Sequence, residues 1–179
     1  SLVMWGAGNE SDKPFGPAID MMGRLSLELD GSRPFHRGEA WGGSDHNYNC
    51  WWDDAHLNHN LNMTSPFWGE FGIASLPHIE SVRRYLAEEK DRWPSRPGDH
   101  FRHHTPIFGT MGEFGKLSQY SGYFMPDTIL AEFITGSQLA QVVGVRHTLE
   151  RARTLWPETT GALYYKMNDN YPGVSWSSV

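Results

Sequence analysis

Five short strand-like segments, at residues 2–5, 34–36, 47–52, 66–71 and 161–167, are separated by stretches of helical character, apart from the Gly-rich Gly38 to Ser44 between the second and third. That alternation constrains the fold more than anything else in the chain. Strands linked through helices run parallel, because a parallel pair needs a long crossover that a tight hairpin cannot supply. The expected fold class is therefore α/β, read as one unit over residues 1–179. A helix is expected over 17–29, with Pro17 at its start and Asp30-Gly31 ending it. Residues 53–60 read as one or two helical turns, and 76–89 as a helix with Ile79, Val82 and Leu86 on its apolar face. Another runs over 127–156, capped by Asp127 behind Pro126 and interrupted at Gly136. Residues 90–125 carry many Pro, Gly and His without a period and read as a long loop or insertion.

In such folds chemistry gathers at the carboxyl ends of the strands. Three strand ends here are polar: Asn9-Glu10, Glu70 within Trp68-Gly69-Glu70-Phe71-Gly72, and Asn168-Asp169-Asn170. Glu10 and Glu70 are the carboxylates that directly follow an aromatic-rich strand and are flanked by glycine. Two carboxylates facing one cleft are the minimal kit for glycoside hydrolysis, one donating a proton and one attacking or activating water. A surface pair of glutamates would give the same pattern. Aromatic residues make up 13% of the chain, with eight Trp, many beside Gly, Asn, Asp or His, and such rings suit the apolar faces of sugars as well as a core.

Other chemistries fit less well. The formal charge of -6 and a pI near 5.8 give no basic field for nucleic acid. No apolar run approaches the ~20 residues of a membrane span. Cys50 is alone and pairs with no other cysteine of this sequence. His56 and His59, and the crowded His100, His103 and His104, raise a metal reading, but neither a Cys pair nor a His-Glu-x-x-His pattern supports one. No metal and no cofactor are expected. Ser1 and Val179 lie in or beside strand candidates, so the sequence is expected to be a piece of a longer chain, with any targeting segment outside it and its compartment unread.

Trp5-Gly6-Ala7-Gly8-Asn9-Glu10 resembles the acid/base motif of family 2 glycoside hydrolases, and the segment from Phe67 to Pro77 is similar to the nucleophile segment of their β-mannosidase branch. Ser32-Arg33-Pro34-Phe35 and Asp45-His46-Asn47-Tyr48 resemble that branch's fifth and sixth strand ends, and His103-His104, Gln138 to Gln141 and Gly161 to Asp169 follow in order. Gly69 stands where Ser is usual, Ala74 where Gln is usual, and Asn170-Tyr171 where a Cys-Trp pair is common. The resemblance implies strands four to eight of a partial (β/α)8 barrel with their helices, and a retaining, exo-acting hydrolase. Glu10 would be the acid/base, Glu70 the nucleophile and Asn9 a donor to the sugar 2-hydroxyl. Tyr48 would hold the nucleophile, Trp176 would form a wall or platform, Trp52 would add a sugar contact, and Asn168 and Asp169 would shape the floor. The partners implied are a β-linked sugar, the remaining barrel half and accessory β domains, and further copies through open sheet edges. A retaining pair predicts carboxyls ~5–5.5 Å apart, against ~6.5–9.5 Å for an inverting one. The alternatives are a carbohydrate-binding or scaffold segment without turnover, or another sugar specificity. A β-galactosidase would continue with a His-Ala-x-Gly-Asn type sequence, absent after Glu70, an exo-glucosaminidase usually has Asp at the position of Glu10, and β-glucuronidase is the third alternative.

Overall fold

A computed structural model describes residues 2–10, 15–52, 55–88, 100–104, 113–126 and 128–178, with only the backbone of Arg102, Glu113 and Phe114. Among the described residues five strands form two parallel sheets, with helices in every connection except that from the second strand to the third, in keeping with the α/β reading. β1 (Trp5–Gly6) pairs with β2 (Phe35–His36), and a bridge between Asn9 and Glu39 continues the ladder. The crossover between them is α1 (Pro17–Leu29), which begins at proline and ends as expected, with the Asp30 and Gly31 N–H groups donating to Ser26 O. Asp30 also accepts from Trp5 Nε1 at 2.8 Å and Arg33 Nη1 at 2.6 Å, tying the helix end to both strands. Those hydrogen bonds, Ser32's first among them, hold its carboxyl far below the usual range.

The second sheet has the order β3-β4-β5, with β3 (Ser44–Asn47), β4 (Phe67–Phe71) and β5 (Gly161–Tyr164). Its register matters. Asp45 faces Trp68 but His46 faces Glu70, so Gly69 is an extra residue on β4. Such a bulge re-aims the side chains that follow it.

Several expectations need correction. The third strand occupies 44–47 rather than 47–52. Asn47 Oδ1 accepts from Asn49 N at 3.2 Å and starts α2 (Asn49–Trp52), and Tyr48 O accepts from Trp51 and Trp52 N. The turns expected at 53–60 form a 3-10 helix at Leu57–Asn62, capped by His56; Asp53 and Asp54 lie outside the described residues. The helix of 76–89 is shorter, α3 (Ile79–Tyr85), because the His78 ring caps it by accepting from Glu80 N; Glu89 lies outside the described residues. Residues 90–125 contain α4 (His100–His103) and α5 (Glu113–Ser121) rather than loop alone, while 90–99 and 105–112 are outside the description. α6 (Leu130–Thr154) runs unbroken through Gly136, and the cap expected at Asp127 lies outside the described residues. Instead, Glu132 reaches back to the Thr128 and Ile129 N–H groups, at 3.1 and 3.4 Å. Thr128's hydroxyl and these N–H groups lower the Glu132 carboxyl's pKa against the opposing effect of burial.

The core packs α5 and α6 against the segments that follow the strands β3, β4 and β5. Phe133, Ile134 and Ala140 of α6 join Leu117 and Tyr120 of α5, with Trp51, Ile73, Val82, Phe101 and Trp176. Asn60, buried, donates to Thr148 Oγ1 at 2.8 Å and to Gly144 O at 3.2 Å, fastening the 3-10 helix to α6. Among the described residues, no helix is long and apolar enough to cross a membrane.

Candidate active site

Beyond β1 the backbone keeps its parallel course, with Ala7 N donating to His36 O and Glu39 N to Gly8 O, each at 3.0 Å. The course ends at Glu10, whose φ of +48° is in the left-handed region. Its side chain, 60% exposed, places Oε1 2.8 Å from His46 Nδ1. His46 is 7% exposed, and the bulge at Gly69 sets it opposite Glu70, whose Oε2 is 3.8 Å from the same nitrogen. One carboxylate oxygen from each glutamate and one His46 nitrogen lie within 4.8 Å of one another. Two glutamates 60 positions apart thus meet across one imidazole.

Tyr48 completes the group by donating to Glu70 Oε2 at 2.9 Å. Burial, then the hydrogen bond and charge of Glu70, push the Tyr48 phenol far above its ordinary range, so it remains a donor at every working pH. Behind it lies Trp176, its ring 5.8 Å from that of Tyr48 and also against Trp51, Trp52 and Tyr165. Trp176 is 5% exposed, so the platform expected of it is corrected to a buried support; Trp52, 43% exposed, offers the open face.

The other expected residues are placed differently. Asn9 is exposed beside Glu10, where its backbone bridges to Glu39. Asn168 is exposed after β5. Asp169 caps its own turn, accepting from Asn170 N at 2.8 Å and Tyr171 N at 3.3 Å, and pairs with Lys166 at 2.7 Å. Burial works to raise its pKa, but the bonds from Lys166, Ser175 and the turn outweigh it and hold the carboxyl below the usual range. Asp169 thereby anchors the loop that carries Asn168.

Two residues had no role in the sequence reading. His46, in β3, stands two positions before Tyr48, the spacing that puts alternate side chains of extended backbone on one side, a signal that the sequence contains. Glu39 follows β2 and has no such signal. Its Oε1 is 3.3 Å from His36 Nε2, its Oε2 is 3.8 Å from His46 Nε2, and the Ser44 hydroxyl donates to it.

Glu10, His46 and Glu70 have the donor types and closeness of a three-ligand cation site. The hydrogen bonds from Tyr48 to Glu70 and between His46 and Glu10 account for the same geometry without an ion. The other histidines serve the fold. His56 caps the 3-10 helix, His59 bonds Asn49, and His104 stacks between Tyr85 and Tyr171 while bonding Pro172 O at 2.7 Å.

No family model matches the chain. It is 26% identical over 178 residues to β-mannosidase B of Thermothelomyces thermophilus, covering 87% of this chain and 20% of that protein. Against β-mannosidase B of Aspergillus niger it is 23% identical over 163 residues, 81% of this chain and 18% of the relative. The crystal structure of a β-D-mannosidase from Dictyoglomus thermophilum superposes with a TM-score of 0.87 at 23% identity, covering 99% of this chain and 24% of that one. The chain therefore has the fold of one part of that structure. It spans about a fifth of the length of the curated relatives it matches, and over nearly all of its own length it is similar to the β-mannosidases.

Proposed function

We propose that this chain supplies the catalytic carboxylates of a retaining, exo-acting β-glycosidase of the β-mannosidase type, in the framework of strands four to eight of a family 2 (β/α)8 barrel. The observation that carries the reading is the meeting of Glu10 and Glu70 within 4.8 Å, a separation that suits a double displacement and leaves no room for the water of an inverting reaction.

In that reading Glu70 attacks the anomeric carbon while Glu10 gives its proton to the departing oxygen. The C–O bond breaks as the Glu70 ester forms. Glu10 then takes a proton from water, which releases the sugar with its configuration retained. Tyr48 occupies Glu70 Oε2 and leaves Oε1 for the attack. Asn9 meets the sugar 2-hydroxyl, Trp52 offers its exposed face to the ring, and Asn168 contacts the sugar from the loop that Asp169 holds.

The test is covalent trapping with 2-deoxy-2-fluoro-β-mannosyl fluoride on the full-length native protein. A mass increase on the peptide carrying Glu70, absent in Glu70→Ala, is expected. An untouched Glu70 in a protein that still binds sugar would establish the scaffold alternative instead. The gluco and galacto reagents, run alongside, assign the sugar. The 179-residue chain alone is expected to hydrolyse aryl β-mannosides at the background rate, because substrate positioning supplies much of the rate enhancement and the chain matches only about a fifth of its relatives.

A further inference from the structure

We propose that Glu39 is a positioning residue of this site: through His46 it biases which imidazole nitrogen carries the proton while Nδ1 faces Glu10, and Gly69 makes the room that Glu39 needs. The inference rests on the reading of Glu10 as acid/base.

The ring of His46 is held between acidic groups on two sides. On its Nδ1 side stand Glu10 at 2.8 Å and Glu70 at 3.8 Å. On its Nε2 side stands Glu39 at 3.8 Å, itself bracketed by His36 and by the Ser44 hydroxyl. His46 Nε2 and His36 Nε2 are both buried and make no hydrogen bond among the described residues. A buried N–H without a full partner is costly, and a nearby carboxylate is the group that best offsets it.

A neutral imidazole carries one proton, and its surroundings decide where. The two sides compete for it: Glu10 as a carboxylate draws the proton to Nδ1, and when Glu10 is the carboxylic acid the charge at Glu39 favours Nε2, so Nδ1 then presents a lone pair to Glu10. A lone pair there accepts a hydrogen bond from the carboxylic acid form of Glu10, the form that protonates a leaving group. With the tautomer reversed, an Nδ1–H would donate to Glu10 and favour its carboxylate, the wrong form for the first step. When His46 is an imidazolium, both N–H groups face carboxylates, and Glu39 still keeps the Nε2 proton in place. Proton traffic on this ring is thereby confined to the Glu10 side.

Gly69 enters through the bulge. A methyl group built on it would overlap Glu39 Oε2 and Ser44 Oγ, with Glu39 Cδ 3.0 Å away. Any side chain at position 69 therefore displaces the Glu39 carboxylate from behind His46.

The experiment compares wild type, Glu39→Gln, Glu39→Ala, Gly69→Ala and the Glu39→Ala/Gly69→Ala double variant in the full-length native protein, with two readouts. The first is kcat/KM across pH for 2,4-dinitrophenyl β-mannoside, which needs little acid assistance, and for β-mannobiose, which needs it fully. Glu39→Gln is expected to lower kcat/KM for mannobiose about tenfold or more and to shift its pH profile, with the dinitrophenyl substrate within about twofold of wild type. Gly69→Ala should reproduce this pattern, yet add nothing in the Glu39→Ala background. The second is the 15N spectrum of the His46 ring with Glu10→Gln as the neutral stand-in for the acid form, expected to show Nε2 protonated in Glu10→Gln and a mixed or reversed tautomer in Glu10→Gln/Glu39→Gln. An unchanged tautomer, with both substrates affected equally or not at all, overturns the proposal. If Glu70→Ala still hydrolyses mannosides, the proposed function falls, and the 15N spectrum alone then decides the role of Glu39.

Discussion

Tyr48 shows how much one side chain contributes when it is buried against a charge. Its hydroxyl is the donor given to Glu70, and removing it leaves an anionic oxygen in a half-buried place without a partner. A hydrogen bond to a charged group is worth about 1.5–3 kcal/mol, so, on the proposed function, Tyr48→Phe should cost roughly 10- to 100-fold in kcat/KM of the full-length protein, with the fold unchanged by circular dichroism. Asp169 makes the matching case for pH. Its carboxyl is held below the usual range, so its bonds to Lys166 and the turn stabilise fully above the ordinary carboxylate pKa. That contribution disappears as pH falls through the lowered value of the folded state. Asp169→Asn should therefore lower the melting temperature at neutral pH and converge on wild type in strong acid. At this scale the sequence was partly legible. A glycine shortly before each and an aromatic strand behind marked Glu10 and Glu70, whereas Glu39 looked like any loop acid, because its place behind His46 depends on a bulge on another strand.

Among the elements, α6 and α5 show why pattern reading fell short in the second half of the chain. Gly136 suggested a break in the helix, since glycine costs about 1 kcal/mol relative to alanine in a helix interior. The structure gives it a packing role. A Cβ there would stand 2.8 Å from Ser121 O and 3.0 Å from Ser121 Cα, so the glycine lets α5 and α6 come together. Gly136→Ala would gain helix propensity but overpack this crossing, and a net loss of about 1–3 kcal/mol by denaturant titration is expected. A stabilised protein would show that the crossing has slack. α5 itself was hidden. Leu117, Tyr120 and Ser121 are buried at helical spacing, but nine residues among neighbouring Pro, Gly and His carry too short a period to stand out. Elements with a proline start or a long apolar face, such as α1 and α6, were read with boundaries within a few residues.

For the whole molecule the distribution of apolar surface is uneven. The segment leading into β1 exposes Val3 at 77%, α1 exposes Leu27 at 71% and Met21 at 55%, and Val142 and Leu163 are exposed beside a cleft of about 560 Å³ between α6 and β5. Monomeric proteins seldom leave patches of this kind uncovered, and parallel edge strands with free backbone groups invite pairing. The isolated 179-residue chain should accordingly self-associate. Sedimentation velocity would show an average mass that rises with concentration, and a single monomeric species over the accessible range would count against it.

The left-handed backbone at Glu10 has a consequence for how such a sequence can be improved. A side chain with a Cβ is strained there by roughly 1–2 kcal/mol, and glycine is not. A library ranked on thermostability alone would therefore tend to replace Glu10 with glycine. Its best-scoring members would be robust proteins that have lost the carboxyl proposed as the proton donor, so any stabilisation campaign on this chain has to hold position 10 constant.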